Sequence, residues 1–310
     1  MKNKQVIIYP VPWDITTTFH HGTAQGPVQI QSVLHQLDDV HPFSLTTNEL
    51  KFEPASQRIN DLQSIYSDTS RSIIDISNQG KDLTEDHQRI LKDINKANSE
   101  MNHIVYLDCL KLLKKGPVIL CGGEHGVGVG YIHALADQYD SFGVLQIDAH
   151  MDCRISYFGY EYSHASVITH YSSVESVDII TQVGIRDYDA SEIHYQAISD
   201  TQFFVFRDFD MHQRLFEGAT WAMICKDIIE SLPDKVFISF DIDGLCPYLC
   251  SGTGTPVPGG LSYNQVLYLL KQLMDNKSVI GAELVEVSND YSDWNAIVGA
   301  RLLSVLSGLF

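Results

Sequence analysis

With 310 residues, 44% of them hydrophobic and 10% aromatic, the chain can form one large domain or two modest ones, with a sizeable core. Its net charge of −18 argues against nucleic-acid binding and docking on an anionic membrane; solubility accounts for most of it, a cation-holding acidic site for a smaller part. No apolar stretch reaches the roughly 18 to 20 residues of a membrane span.

Six cysteines (Cys109, Cys121, Cys153, Cys225, Cys246, Cys250) include no CxxC pair. Met1-Lys2-Asn3-Lys4 leads into an apolar run too short for a signal peptide, so reduced thiols in a cytoplasmic protein are expected.

In chain order, residues 5–9 read as a buried first strand, and Pro10, Pro12 and Thr16-Thr17-Thr18 as a loop. Gly26-Pro27 opens a helix to residue 37, with proline where its missing N–H costs nothing. Residues 41–57 have loop-like composition. Two amphipathic helices follow, over 59–78 and 84–113. Thr84 suits the N-cap of the second, Ile90, Leu91, Ile94, Ile104, Leu107 and Leu110 fall at helical spacing, and Lys114-Lys115-Gly116 ends it. Short apolar runs at 117–121, 142–147, 177–183, 203–206, 235–240 and 279–284 then alternate with helical patterns, among them 127–138, 221–231, 263–274 and 295–309. Strands alternating with helices imply an α/β protein whose parallel sheet is covered on both faces. There is no internal repeat, low-complexity segment or Gly/Ser linker, so a single domain over 1–310 is expected, with a helical insertion around 42–115.

Chemistry-bearing residues gather where these strands end, the edge at which parallel sheets bind ligands. The run 142–147 delivers Asp148, His150 and Asp152, alternate positions that an extended chain can aim into one pocket. Residues 118–121 end in Gly122-Gly123-Glu124-His125-Gly126, and 236–240 run into Asp241 and Asp243. Two histidines and four aspartates suit divalent transition ions more than calcium, and can hold two ions that share carboxylates. Pairing each acid with a base instead fits poorly with only 21 Lys+Arg. Two such ions lower the pKa of a shared water, which is hydrolytic machinery.

Gly122-Gly123-Glu124-His125, Asp148-Ala149-His150-Met151-Asp152, Ser239-Phe240-Asp241-Ile242-Asp243 and Gly252-Thr253-Gly254-Thr255-Pro256-Val257-Pro258-Gly259-Gly260 resemble the signature segments of the ureohydrolase (arginase/agmatinase) family. Glu283-Leu284-Val285-Glu286-Val287 resembles its late strand. The likeness is collinear from Val6 to the C-terminus, with no anchoring motif in 41–102. It implies a three-layer α/β/α fold, assembly as a homo-oligomer (trimer or hexamer), and two Mn2+ ions (Ni2+ or another divalent metal as alternatives) that hydrolyse a guanidino group to urea and an amine. Carried over by position, His125 and Asp152 would hold one ion and His150 and Asp243 the other. Asp148 and Asp241 would bridge both, and Asp152 would also accept a hydrogen bond from the bridging hydroxide.

Tyr160-Glu161-Tyr162-Ser163-His164-Ala165-Ser166 resembles the agmatinase-type loop, which implies that His164 lies near the substrate and shuttles protons. Glu286 matches the carboxylate that pairs with the substrate guanidinium. Without the likeness, His164 reads as a surface-loop histidine and Glu286 as a sheet-end acid. For choosing the substrate, the loop after Asp152 offers Arg154, Tyr157, Tyr160, Glu161 and Tyr162, and Trp13, Phe19 and His20 stand as candidates for the entrance. Arg154 would bind a carboxylate-bearing substrate or else pair with a nearby acid. Agmatine is the first expectation, ahead of arginine, guanidinobutyrate, free guanidine and formiminoglutamate. A non-catalytic scaffold on the same fold is the alternative from another class, and six filled ligand positions speak against it. Glu124, Gly126, Ala165 and Cys246 depart from the family's usual residues, and none is a metal ligand.

Overall fold

In the computed structural model, which describes residues 4–38, 48–288 and 293–310, the first half contains β1 (Gln5–Val11), α1 (Gly26–Val33), β2 (Glu49–Phe52), α2 (Gln57–Asn78), α3 (Glu85–Leu113), β3 (Val118–Gly122), α4 (Val129–Ala136) and β4 (Phe142–Ile147). The second contains α5 (Val167–Ser172), β5 (Val177–Ile185), α6 (Ala190–Ile198), β6 (Gln202–Arg207), α7 (Asp208–Phe216), α8 (Trp221–Glu230), β7 (Lys235–Asp241), α9 (Tyr263–Asn276), β8 (Ser278–Val285) and α10 (Trp294–Ser307). The strands form one sheet in the order β2-β1-β3-β8-β7-β4-β5-β6, all pairs parallel.

A parallel sheet of apolar strands must be covered on both faces. Alternation along β1 shows the division: Ile7, Tyr9 and Val11 join α2, α3, α4 and α5 in one apolar layer, while Val6 and Ile8 join α1, α8, α9 and α10 in the other. The result is the expected α/β/α sandwich. Ile59, Leu62, Ile73 and Ile74 of α2 and Ile94, Met101, Val105 and Cys109 of α3 are buried, so these helices are part of the cover of one face. Thr84 caps α3 as its sequence suggests, accepting the His87 N–H at 3.3 Å. No helix among the described residues is long and apolar enough to cross a membrane.

The loop expected over 41–57 lies partly outside the described residues. Within them it holds β2, a four-residue edge strand beside β1, too short and too polar to announce itself. β1 also runs on through Pro10. Ile7 N–H donates toward β3, to Pro117 O, so the nitrogens of Ile8 and Pro10 face the β2 side. β2 has ended opposite Ile8, and the proline breaks no ladder bond there. α5, α6 and α7 are additions to the elements read from sequence.

β3, β8, β7 and β4 are consecutive neighbours at the centre of the sheet. The chain jumps from β3 to β4 and returns later to fill the two places between them. Such a change in strand order opens a crevice at the carboxyl ends.

Phe237 on β7 is fully buried and meets Tyr131 edge-on at 5.3 Å between ring centroids. Phe237→Ala should cost about 3–5 kcal/mol, seen as a lower denaturant midpoint at unchanged m-value. A loss under ~1 kcal/mol would mean that the surrounding core collapses into the gap.

Candidate metal centre

Beyond β3, Gly123 passes so close to the preceding loop that a Cβ there would run into the Trp13 backbone. Gly123 N–H donates to Val11 O and Glu124 N–H to Trp13 O, tying the turn to the end of β1. His125 follows, almost fully buried. Its Nε2 lies 2.7 Å from Ser239 Oγ, whose hydroxyl donates to Glu283 Oε1 at 2.7 Å. The ring therefore keeps a proton on Nε2, and Nδ1 is the position left for a cation. Nδ1 faces Asp152 Oδ2 at 2.9 Å, Asp148 Oδ2 at 3.2 Å and Asp241 Oδ2 at 3.5 Å, yet is hydrogen-bonded to none of them. Acceptors converging on a lone pair are arranged for a cation.

Asp148, at the end of β4, is fully buried. Its Oδ1 accepts the His150 N–H at 2.7 Å and its Oδ2 the Gln146 amide at 2.7 Å, leaving each oxygen a further lone pair. Oδ2 is on the His125 side, while Oδ1 lies 3.5 Å from His150 Nδ1. His150 Nδ1 is also 3.1 Å from Asp243 Oδ2, another buried atom without a hydrogen bond. Two groups of ligand atoms result, each within 4.8 Å: His125, Asp148 and Asp241, and Asp148, His150 and Asp243. Asp148 belongs to both. Asp241 gives Oδ1 to the Asp243 N–H at 2.8 Å and turns Oδ2 toward His125, while Asp152 joins through its own approach to His125. The fold brings all six residues together, and their orphaned nitrogen and carboxylate atoms fit two divalent ions.

Glu286 follows β8 in a left-handed conformation, φ 63°. Its N–H donates to Gly123 O at 2.7 Å, and its Oε1 accepts the His125 N–H at 2.9 Å. Oε2 is buried and unpartnered.

Burial, with Asp148 beside it, raises Asp152 to about 7; burial, with Asp243 nearby, raises Glu286 to about 8. Burial alone would lower His125 and His150, but the carboxylates around them raise both well above 6.5. His164 goes the other way, held down to about 3 by burial and then by the charge of His150.

A cavity of about 240 Å3 is lined by His150, Asp152, Arg154, Tyr157, His164 and Asp187, with Thr18, Phe19 and the 255–257 segment completing its wall. The His164 ring nitrogens lie 3.4 Å from the Thr16 and Thr18 hydroxyls. Arg154 stacks over Tyr157 at 4.7 Å and lies 3.8 Å from buried Glu192. Tyr162 is not in this cavity: its ring stacks on His170 at 4.5 Å and lines a separate groove beside α3 and α4. Nor is Trp13 at an entrance. It is buried, with Nε1–H donating to Asn98 Oδ1 at 3.1 Å. Sequence reasoning did not single out Asp187, Thr16, Thr18 or Gln146; for Gln146 the signal was an amide inside an apolar strand.

The arginase-family profile matches residues 4–307. The chain belongs to the arginase family. It is 28% identical over 306 residues to the N(1)-aminopropylagmatine ureohydrolase of Thermus thermophilus, covering 98% of this chain and 90% of that protein. It is 25% identical over 307 residues to the agmatinase of Bacillus cereus, covering 97% and 90%. Two solved structures share its fold: the agmatine ureohydrolase of Thermoplasma volcanium (TM-score 0.72, 20% identity, 99% of this chain and 89% of that one) and the arginase of Bacillus subtilis (TM-score 0.68, 20% identity, 98% and 99%). The arginase family is one of binuclear metal enzymes, in keeping with the two ligand groups found here.

This arginase-family centre has a pH signature when stripped of metal. Asp152, Glu286, His125 and His150 all have raised values and hold more protons folded than unfolded, so stability falls as pH rises between about 6.5 and 8. His164, with its lowered value, acts in the opposite sense only below about 6.5. Chelator-treated protein should therefore show a thermal midpoint that falls across this window. Added divalent ion should raise the midpoint more at the upper end, because ligands must lose protons to bind. A midpoint climbing with pH in the stripped protein would contradict this electrostatic picture.

Proposed function

We propose that the chain hydrolyses the guanidino group of agmatine to urea and putrescine at a site holding two manganese ions. The observation that carries this reading is that Asp148 belongs to both ligand groups, with the unpartnered Oε2 of Glu286 beside them. Two divalent ions bound there supply Lewis acidity and make hydroxide available from water near neutral pH. Glu286, held through Oε1, keeps Oε2 for a guanidinium N–H. His164 is neutral at working pH because burial and His150 hold it at about 3. The neutral ring can accept the proton that the attacking water gives up and pass it on to the departing amine.

The cavity walls favour a cationic tail. Asp187 is a carboxylate on the wall, 3.9 Å from His150 Nε2 and with its side chain 67% exposed, whereas Arg154 stacks on Tyr157 and lies 3.8 Å from buried Glu192. The names of the relatives at 28% and 25% identity support the same choice. Arginine or a guanidino acid is the second reading, because Arg154 lines the cavity and would meet a carboxylate if it left Tyr157. Manganese and a homo-oligomer, trimer or hexamer, are supported by the family resemblance, and cytoplasmic residence by six free cysteines.

Urea release from agmatine, aminopropylagmatine, arginine, guanidinobutyrate and guanidine, with formamide release from formiminoglutamate, decides among substrates. Agmatine should lead; a panel led by arginine or a guanidino acid would favour the second reading, and neither urea nor formamide from protein holding two ions would end the hydrolase reading. Asp187→Asn should raise KM for agmatine about two- to fivefold with kcat little changed. Asp148→Ala should abolish both turnover and paired metal binding. His164→Ala should keep two ions and lose on the order of 10²-fold in kcat.

A further inference from the structure

Gln146 on β4 and Gln182 on β5 are fully buried amides in neighbouring central strands. Amides stay buried when their donors and acceptors find partners, and here the partners form a directed chain. The Nε2 of half-buried Gln196, on α6, donates to Gln182 Oε1 at 2.5 Å; Gln182 Nε2 donates to Gln146 Oε1 at 2.5 Å; Gln146 Nε2 donates to Asp148 Oδ2 at 2.7 Å. Each Nε2 has a second proton, and each second contact lands on the loop that carries the ligands. Gln196 reaches Cys153 Sγ at 3.5 Å, Gln182 the Met151 carbonyl at 2.8 Å, and Gln146 the His150 carbonyl at 3.4 Å. The ionised carboxylate at the end of the chain only accepts, which sets the direction of every amide before it.

We propose that Gln146, Gln182 and Gln196 are positioning residues that hold Asp148 in its bridging orientation and fasten the 148–153 loop beneath the metal pair. The proposal rests on the two-ion reading above. Neutral amides suit this role because they orient the carboxylate without cancelling its charge, whereas a lysine or arginine would compete with the ions for it. α6 thereby serves two parts of the centre, because its Glu192 accepts the Cys153 N–H at 3.0 Å and lies beside Arg154.

The test is metal affinity, read by titrating Mn2+ into chelator-stripped full-length protein against a competing chelator. Gln146→Leu should weaken binding about 10- to 100-fold, as loss of a group that orients a ligand does. Gln146→His, which offers a ring N–H at similar reach, should recover most of it. Gln196→Leu, at the accessible end of the chain, should weaken binding about two- to fivefold with the thermal midpoint of the stripped protein unchanged. Wild-type affinity in folded Gln146→Leu, or equal losses in the leucine and histidine variants, would overturn the positioning role while leaving the hydrolase reading intact. Should Gln146→Leu not fold, Gln196→Leu decides: wild-type affinity there overturns the proposal as well. Wild-type protein that fails to hold two ions would instead overturn the two-ion reading, and this proposal with it.

Discussion

Five buried carboxylates, on Asp148, Asp152, Asp241, Asp243 and Glu286, meet at the ends of three neighbouring strands, β4, β7 and β8. No lysine or arginine among the described residues pairs with them; the ion pairs offered to the aspartates come from His125 and His150. Collecting anions in a low-dielectric interior costs several kcal/mol per unpaired charge, and proteins relieve the cost by protonation or by a cation. Protonation is what the raised values of Asp152 and Glu286 express in the bare chain. A pair of divalent ions is the other relief, and it leaves the carboxylates charged and available as ligands. Much of the surrounding architecture follows from holding these groups together against their mutual repulsion.

The sheet does much of that holding through its register. Gln182, Gln146, Ser239 and Glu283 stand opposite one another across β5, β4, β7 and β8, a polar row in otherwise apolar strands. One end of the row supports Asp148 through amides, and the other fixes the tautomer of His125 through Ser239. Glu283 also accepts the Tyr171 hydroxyl at 2.6 Å. Gly128 has no alternative here, because a Cβ would strike both the Tyr171 hydroxyl and the Glu283 carboxylate. Ligand orientation is therefore built into rigid strands, which place side chains more reproducibly than loops do.

The central strands and the clustering of the six candidate ligand positions were legible in the sequence for one reason. A strand buried on both faces reads as an unbroken apolar run, and an acid or histidine at its end stands out by contrast. The same rule explains what was not legible. β2, Glu49-Leu50-Lys51-Phe52, is a half-exposed edge with no run to see, and α6 and α7 are short, with few buried positions. Tyr162 and Trp13 were grouped with the substrate by nearness in sequence, but spacing along a loop does not say which way a ring turns. His170 and Asn98, which hold them, come from elsewhere in the chain. Gln146 lay inside a recognised strand, and its role depends on Gln182 and Gln196, 36 and 14 positions further along in turn.

Backbone conformation adds a last constraint. The described non-glycine residues with positive φ are Asp152, Phe158 and Glu286, so two of the three are site residues. Left-handed backbone outside glycine costs about 1–3 kcal/mol and persists where the surroundings over-determine it. For Glu286 they do: its N–H is held by Gly123 O and its Oε1 by the His125 N–H, both from the turn after β3. That turn is itself pinned to Val11 and Trp13. The end of β8 and the turn after β3 thus fix each other, and with them the distance between His125, a candidate metal ligand, and the carboxylate of Glu286. These contacts set the position of the Glu286 carboxylate before any ligand arrives and leave its Oε2 as a buried acceptor without a partner.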